Sequence, residues 1–286
     1  MDPRLIESAI TDRTSAILCV HQMGMPCDLK EIVEVAGRHG LPVIEDAACA
    51  IGSEIQWNGK WERIGQPQGD VACYSFHPRK VMSTGDGGMI TTANADWDAK
   101  FRLLRQHAMS VPDTVRHGSN QVIFESYPAV GFNYRMTDIQ AAVGRVQLQR
   151  LPEIVAERRL LADRYRELLG GIAGLEPPVE PTWARSNWQS YCVRLPDGCD
   201  QRTVMQAMLD AEISTRRGIM CSHQEGAYSD RAQPHELTES EKAQDQCVLL
   251  PLFPSLTADE QSQVAQALRE SIRLATHTDQ VAAGQA

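Results

Sequence analysis

Short apolar runs alternate with polar and amphipathic segments in the first half of the chain, which is typical of an α/β fold. Residues 15–20 and 41–45 read as short buried strands. Between them, Asp28-Leu-Lys-Glu31 is a capping box that opens a helix extending to about Arg38. Strand, helix and strand in such close order predict a βαβ unit, and therefore a parallel sheet.

The same pattern continues to residue 169. It predicts strands at 71–74 and 89–92 and a helix at 96–107. Residues 110–132 contain two prolines, two glycines and many polar positions, so we expect a functional or mobile loop there. Thr137-Asp-Ile-Gln140 is a second capping box, which begins a long helix to about Leu169 that could bend or restart at Pro152.

The last part of the chain has a smaller α+β pattern. Its predicted elements are strands at 190–194, 213–216 and 248–250 and helices at 202–210 and 258–274, the last capped by Thr257-Ala-Asp-Glu260. The sequence therefore predicts two domains. The first, 1–150, is α/β with a mainly parallel sheet, and the second, 151–286, is a small α+β domain whose polar tail is expected to be disordered from residue 276.

The charge balance restricts the classes of partner. With 28 basic and 37 acidic residues among 286, the net charge is −9, and an acidic chain without a basic cluster argues against nucleic acid. No apolar run approaches the roughly 20 residues that span a bilayer. The first ten residues lack the layout of a signal peptide. The expected location is the cytoplasm, with no membrane partner.

The eight cysteines have no CxxC spacing. Four of them, Cys19, Cys73, Cys192 and Cys247, lie in short apolar runs and are predicted to be buried free thiols. Pairs such as Cys19-x-His21 do not provide the four ligands of a structural zinc site, so no metal is expected.

Three segments carry candidate chemistry. Glu45-Asp-Ala-Ala-Cys49 places Asp46 just beyond a buried parallel strand, where it could hold a cationic ligand or simply cap a helix. Ser75-Phe-His-Pro-Arg-Lys80 places a lysine beside a glycine-rich turn, where it could form a Schiff base or be solvated. Gly131-Phe-Asn-Tyr-Arg-Met136 precedes a capped helix, where it could bind an anion or only cap the helix.

Together, these segments resemble the DegT/DnrJ/EryC1/StrS family of pyridoxal-phosphate (PLP) sugar aminotransferases of fold-type I. The motifs stand in the family's order: EDAA, then SFHPRK with TGDGG, then GFNYRM-x-D-x-QAA. The resemblance extends from about Asp2 to about Arg273. It implies an incomplete large PLP-binding domain in residues 1–150, a small C-terminal domain, and PLP as the cofactor.

The resemblance also implies roles for individual residues. Lys80 would bind PLP covalently and move the proton between substrate and cofactor, and Asp46 would keep the pyridinium nitrogen protonated. Ser75 would hydrogen-bond to the cofactor phosphate. Asn133 matches a residue that reaches a phosphate across a dimer interface, so a homodimer is implied. Candidates for contacts to the substrate are His77, Arg216, Arg217 and Tyr228.

Two departures from the family pattern stand out. Cys49 occupies the position where many members carry a glutamine, which can hydrogen-bond to the ring hydroxyl of PLP, whereas a thiol is a weak donor and a weak acceptor. The family also begins with a segment that carries a Gly-Thr/Ser phosphate loop, a stacking aromatic residue and several strands, and Met1 falls after it. We therefore expect a truncated sheet with an exposed edge and an uncovered apolar face.

The resulting functional expectation is an aminotransferase that converts a keto-sugar nucleotide to an amino sugar, for polysaccharide or secondary-metabolite biosynthesis. Glutamate is the expected amino donor. One alternative is a truncated member of the family that is catalytically incompetent. Another is a PLP-dependent sugar dehydratase, but those relatives carry histidine in place of the lysine, so Lys80 argues against it.

Overall fold

The computed structural model describes residues 1–66, 68–230 and 236–283. The chain divides into two compact units. Unit 1 comprises Met1–Pro152 and Thr182–Asn187, and unit 2 comprises Glu153–Pro181 and Trp188–Ala286. The division into domains 1–150 and 151–286 stays a prediction.

The strands and α-helices are numbered here in chain order. The strands are β1 (Ile17–Val20), β2 (Val43–Asp46), β3 (Glu54–Trp57), β4 (Lys60–Arg63), β5 (Val71–Ser75), β6 (Gly88–Thr91), β7 (Ala184–Arg185), β8 (Tyr191–Arg194), β9 (Arg216–Arg217) and β10 (Cys247–Leu250). The helices are α1 (Ile6–Ala9), α2 (Leu29–Arg38), α3 (Ala95–Leu104), α4 (Asp113–His117), α5 (Asp138–Leu169), α6 (Gln201–Asp210), α7 (Thr238–Gln246) and α8 (Ala258–Ala283).

Unit 1 is built on a four-stranded sheet in the order β1-β2-β5-β6. β1 pairs with β2 and β2 with β5 in parallel, whereas β6 runs antiparallel to β5. The predicted βαβ unit is therefore confirmed, and so is the α/β fold class with its mainly parallel sheet.

Helix α2 begins where its capping box predicts. The Asp28 carboxylate accepts a hydrogen bond from the Glu31 amide at 3.4 Å and so satisfies one of the free donors of the first turn. Leu29, Ile32, Val35 and Ala36 are buried on one face of the helix, in the same core as residues of β1 and β2. Each of the larger side chains stabilises the fold by about 1.5–3 kcal/mol through burial.

A second, smaller sheet in unit 1 was not predicted. It has the order β4-β3-β7, and the two-residue strand β7 pairs antiparallel with the beginning of β3. Through this pairing residues 182–187 join unit 1, although they follow the long helix α5 in the sequence.

Unit 2 contains a three-stranded antiparallel sheet in the order β8-β10-β9. Helices α6 and α8 pack against each other, and their apolar faces include the fully buried Val204, Met208 and Leu268. Helix α5 extends through Pro152 without a break. Helix α8 continues past the predicted end at 274, and the end of the tail predicted to be disordered, 284–286, lies outside the described residues.

The four-stranded sheet exposes apolar side chains at both edges. On β1, Leu18 and Val20 are 54% and 39% exposed, and on β6, Met89 and Ile90 are 50% and 48% exposed. Within the described residues, no helix is long and apolar enough to cross a membrane. The cysteines are free thiols, but of the four predicted to be buried only Cys19 is fully so, the other three being half-buried.

Candidate active site

Two neighbouring parallel strands of unit 1 end on polar side chains. Asp46 is the last residue of β2 and Ser75 is the last residue of β5. Asp46 is paired in register with Cys73, two residues before Ser75, and both side chains are half-buried. A carboxylate and a hydroxyl thus lie at the carboxyl edge of the sheet, which is where α/β folds bind ligands.

The chain turns sharply after Asp46. The Asp46 carboxylate accepts a hydrogen bond from the Ala48 amide at 3.0 Å, and the Ala47 amide donates to the Cys73 carbonyl at 2.9 Å. The carboxylate therefore stabilises the turn that follows it. This resembles the helix-capping alternative, except that a turn and not a helix follows Asp46.

The loop after β5 brings Lys80 to the same turn. The Ser75 hydroxyl oxygen accepts from the His77 amide at 3.3 Å, and the Lys80 amide donates to the His77 carbonyl at 2.9 Å. The Lys80 side chain then reaches across to Cys49, whose sulfur lies 3.1 Å from Nζ. Because Cys49 follows Asp46 by three residues, this contact joins the two motifs.

The glycine-rich turn closes the loop behind Lys80. Gly85 and Gly87 have φ angles of 84° and 136°, which residues with a Cβ rarely adopt. At Gly88 a Cβ would lie 2.6 Å from the Tyr74 carbonyl oxygen, so the turn needs glycine there because the backbones approach closely. The third motif also contacts this turn, since the Gln140 side-chain amide donates to the Asp86 carbonyl at 3.0 Å.

Of the remaining predicted residues, His77 lies in the loop between Ser75 and Lys80, and the others lie elsewhere in the chain. His77 is exposed, and its Nδ1 accepts from the Arg79 amide at 3.3 Å. Asn133 is exposed beside Gln106, with which it forms an isolated β-bridge. In unit 2, Arg217 forms an ion pair of 3.8 Å with Asp245, and Tyr228 ends a short 3-10 helix. Their roles, and that of Arg216 in β9, stay predictions.

Two titratable groups, Cys73 and Glu45, lie on the strands that end at this edge. Burial, together with the charges of Asp46 and Glu45, raises the pKa of the Cys73 thiol, so this cysteine stays protonated at neutral pH. On the opposite face of β2, Glu45 is fully buried and accepts a hydrogen bond from His21 Nε2 at 3.0 Å. The Cys27 amide donates to His21 Nδ1 at 3.2 Å, so the ring hydrogen of His21 lies on Nε2.

Sequence reasoning missed two residues near this edge. Gln140 belongs to a motif that the sequence singles out, so a signal for it existed. Asn187 had none, because it follows Cys49 by 138 positions and no spacing connects them. It is fully buried and its side-chain amide donates to the Cys49 carbonyl at 2.8 Å and to the Ile51 carbonyl at 2.9 Å.

Comparison with known proteins identifies a family and many similar structures. The model of the DegT/DnrJ/EryC1/StrS aminotransferase family matches residues 1–269. The crystal structure of S. venezuelae DesV, in complex with a ketimine intermediate, is 33% identical, with a TM-score of 0.82. The match covers 94% of this chain and 68% of DesV.

Two further structures show a similar extent of likeness. The aminotransferase TlmJ from Streptoalloteichus hindustanus is 29% identical with a TM-score of 0.84, and the match covers 96% of this chain and 70% of TlmJ. DesI, determined in the presence of its TDP-sugar product, is 29% identical with a TM-score of 0.83, with coverage of 98% and 68%.

Proposed function

Because this chain belongs to the DegT/DnrJ/EryC1/StrS aminotransferase family, whose members are PLP-dependent enzymes, we propose that it transfers an amino group to a keto-sugar nucleotide. Glutamate is the proposed amino donor, and an amino sugar for polysaccharide or secondary-metabolite biosynthesis is the proposed product. The observation that carries the proposal is the contact between Lys80 Nζ and Cys49 Sγ at 3.1 Å, because it directs the amine to the turn that begins at Asp46.

The residues at the sheet edge fit PLP by their chemistry. Lys80 offers an amine for the aldehyde, Asp46 a carboxylate for the pyridine nitrogen, and Ser75 a hydroxyl for the phosphate. All three side chains are half-buried, so they can bind a ligand and remain partly shielded from water. When bound, PLP serves as the electron sink for the carbon that gains or loses the amino group.

Each of these residues then has a definite task. The Asp46 carboxylate would pair with the ring nitrogen of PLP and keep it protonated. The Ser75 hydroxyl would donate to the phosphate and so orient the ring. Lys80 would accept a proton from the substrate carbon at Nζ and donate it to the cofactor. Cys49, at the position where many members carry a glutamine, contacts that amine.

The proposed substrate class rests on similar proteins. DesI was determined with a TDP-sugar product, which supports a nucleotide sugar as the substrate of this chain. His77, Arg217 and Tyr228 remain the candidates for contacts to the sugar nucleotide or to glutamate. A cytoplasmic location is proposed as well, because the cysteines are free thiols, as expected in a reducing compartment.

A homodimer is part of the proposal. Asn133 is exposed and would serve the neighbouring copy, and the segment around it exposes large apolar side chains. Among these, Phe124, Val130 and Tyr134 are 91%, 87% and 74% exposed, and large exposed apolar side chains within one segment favour an interface. Sedimentation of the PLP-loaded protein as a dimer would support the proposal, and a stable PLP-loaded monomer would contradict it.

The catalytic proposal is tested by binding PLP to the purified chain. We expect a visible absorption band, and after borohydride reduction the cofactor should be found on the peptide containing Lys80. Lys80→Ala should remove the covalent label, whereas Lys100→Ala, which changes an exposed lysine on α3, should retain it. Label that persists in Lys80→Ala contradicts the proposal. A colourless wild-type protein instead supports the alternative of a chain that does not hold PLP.

A further inference from the structure

Asn187 forms several hydrogen bonds near the sheet edge. Its side chain is fully buried. One amide group donates both of its hydrogens to carbonyls two residues apart, at 2.8 Å to Cys49 and 2.9 Å to Ile51. A planar carboxamide holds its two N–H bonds in a fixed fork, so this arrangement sets the distance and the direction of both carbonyls.

The sheet topology explains why Asn187 lies beside Cys49, although the two residues are far apart in the sequence. β7 pairs with β3 such that Arg185 lies opposite Glu54. Continued in the antiparallel direction, this register carries Asn187 back over the turn that precedes β3. Its backbone amide donates to the Ser53 hydroxyl at 3.0 Å, and that hydroxyl donates to the Gly24 carbonyl at 2.6 Å.

The turn held in this way carries the contact to the lysine. Between Asp46 and β3 the chain makes two successive tight turns, in which the Ala50 amide donates to Ala47 and the Ser53 amide to Ala50. The carbonyls of Cys49 and Ile51, on either side of Ala50 where the two turns meet, are the two that Asn187 binds. Fixing the Cys49 backbone fixes the direction of its Cα–Cβ bond and so limits the sulfur to a few rotamers. In the rotamer present, the sulfur lies 3.1 Å from Lys80 Nζ.

We propose that Asn187 is a positioning residue that acts through Cys49 to place the Lys80 amine at the cofactor edge. The inference rests on the proposed role of Lys80 and adds to it a residue that contacts neither the lysine nor the cofactor. In this arrangement, the Cys49 sulfur restricts the position of the Lys80 amine. The hydrogen bond from Asn187 restricts the movement of the Cys49 backbone.

The first test uses the cofactor-free chain, so it stands whether or not PLP binds. Each variant is labelled with N-ethylmaleimide, and the rates at Cys49 and Cys73 are read separately, since trypsin cleavage at Lys60 and Arg63 places them on different peptides. In Asn187→Ala we expect Cys49 to react roughly five- to tenfold faster than in the wild type, as follows when two ordinary hydrogen bonds no longer close a turn. The rate at Cys73 should not change.

Three further variants separate positioning from packing. Asn187→Asp preserves the volume but cannot donate to either carbonyl, so Cys49 should react as fast as in Asn187→Ala. Asn187→Ser retains a single donor and should give an intermediate rate, and it replaces the alanine variant if that chain does not fold. The matched control is Asn94→Ala, which removes two hydrogen bonds at the start of α3 in the same unit and should change neither rate.

The second test uses the PLP-loaded protein. The pH midpoint of its visible band reports the environment of Lys80 Nζ and would not respond to a loss of stability elsewhere. We expect Asn187→Ala and Cys49→Ala each to move the midpoint by about half a pH unit, roughly a threefold change in the acid constant. The double variant should move it no further than either single change, since both act on one contact.

The outcomes distinguish this inference from the proposed function. Faster labelling confined to Cys49 supports positioning by Asn187, even if the wild-type chain binds no PLP, in which case the proposed function fails alone. An unchanged rate at Cys49, or equal acceleration at Cys49 and Cys73, overturns the inference. In the loaded protein, midpoint shifts that add in the double variant would also overturn it, because the two residues would then act independently.

Discussion

At the scale of single residues, the buried pair of His21 and Glu45 restricts which side chains can replace Glu45. Both carboxylate oxygens of Glu45 receive hydrogen bonds, from His21 Nε2 at 3.0 Å and from the Gly69 amide at 2.8 Å. Because His21 Nδ1 accepts a hydrogen bond from the Cys27 amide at 3.2 Å, the ring hydrogen lies on Nε2, which is therefore the donor to Glu45. Glu45 is thus a pure acceptor between two donors.

Glu45→Gln should therefore destabilise the protein although the side chains have nearly the same shape. In either orientation, the amide NH2 of glutamine faces one of the two donors, His21 Nε2–H or the Gly69 N–H. We expect the free energy of unfolding to fall by about 1–3 kcal/mol, the cost of leaving a buried polar group unsatisfied. Urea denaturation measures this loss.

The matched control for this prediction is Glu34→Gln, which makes the same chemical change on the exposed face of α2. It should change the free energy of unfolding by less than about 0.5 kcal/mol. Equal stability of Glu45→Gln and the wild type would show that the hydrogen-bonding pattern at Glu45 is not the one described.

Single residues also differ in whether the sequence alone could place them in the candidate site. Asp46, Ser75 and Lys80 belong to short motifs, so their type and spacing were sufficient to single them out, and the contact of Lys80 with Cys49 joins two of those motifs. Asn187 could not be found in this way. Its partners lie more than 130 positions earlier, at 138 residues for the Cys49 carbonyl, and only the pairing of β7 with β3 brings them together.

At the scale of elements, the capping boxes were read correctly, whereas the strand predicted at 213–216 is only the two-residue β9 at Arg216–Arg217, and α4 and α7 were not predicted. The starts of α2, α5 and α8 were predicted because a capping box is complete within four residues. In α5, for example, the Gln140 amide donates to the Thr137 hydroxyl at 3.2 Å. The sheet β4-β3-β7 was missed because β7 has only two residues and depends on a partner from another part of the chain.

Elements of unit 2 provide a matched pair of tyrosines. Tyr165 on α5 and Tyr191 on β8 are both buried, with ring centroids 5.0 Å apart. The Tyr165 hydroxyl donates to the Pro251 carbonyl at 2.8 Å. Within the part of the chain that the structure describes, the buried Tyr191 hydroxyl has no hydrogen-bond partner. The two hydroxyls therefore contribute oppositely to stability.

Removing each hydroxyl should separate these contributions. Tyr165→Phe loses a hydrogen bond and leaves a carbonyl without its donor, so we expect a loss of about 1 kcal/mol in the free energy of unfolding. Tyr191→Phe removes an unsatisfied buried group and should leave stability unchanged or raise it by up to about 1 kcal/mol. Urea unfolding followed by fluorescence of the buried Trp188 measures both. A larger loss in Tyr191→Phe than in Tyr165→Phe would contradict this assignment.

At the scale of the whole molecule, both units bury groups that titrate only in strong alkali. In unit 1, burial and then the charge of Glu45 raise the pKa of Tyr74, whose hydroxyl donates to the Ile64 carbonyl. In unit 2, burial raises the pKa of Tyr165, and it raises that of Tyr191 to about 12. The sequence gives only the tyrosine count, because which tyrosines are shielded depends on packing.

These shifts predict that stability is lost as the pH rises above about 10. An unfolded tyrosine releases its proton near the ordinary pKa of 10.0, whereas the folded chain retains it to a higher pH. Between the two pKa values the unfolded state binds fewer protons, so the free energy of unfolding falls with pH. The slope is up to about 1.4 kcal/mol per pH unit for each such group. Below pH 9 these tyrosines contribute no pH dependence, since they are protonated in both states.

The double variant Tyr165→Phe/Tyr191→Phe tests this account, because it removes two of the titrating groups and preserves both rings. Urea midpoints measured between pH 8 and 11 should show a shallower alkaline loss of stability in the double variant than in the wild type. A Tyr228→Phe control changes an exposed tyrosine and should reproduce the wild-type slope. Equal slopes in all three proteins would mean that groups other than the buried tyrosines govern alkaline unfolding.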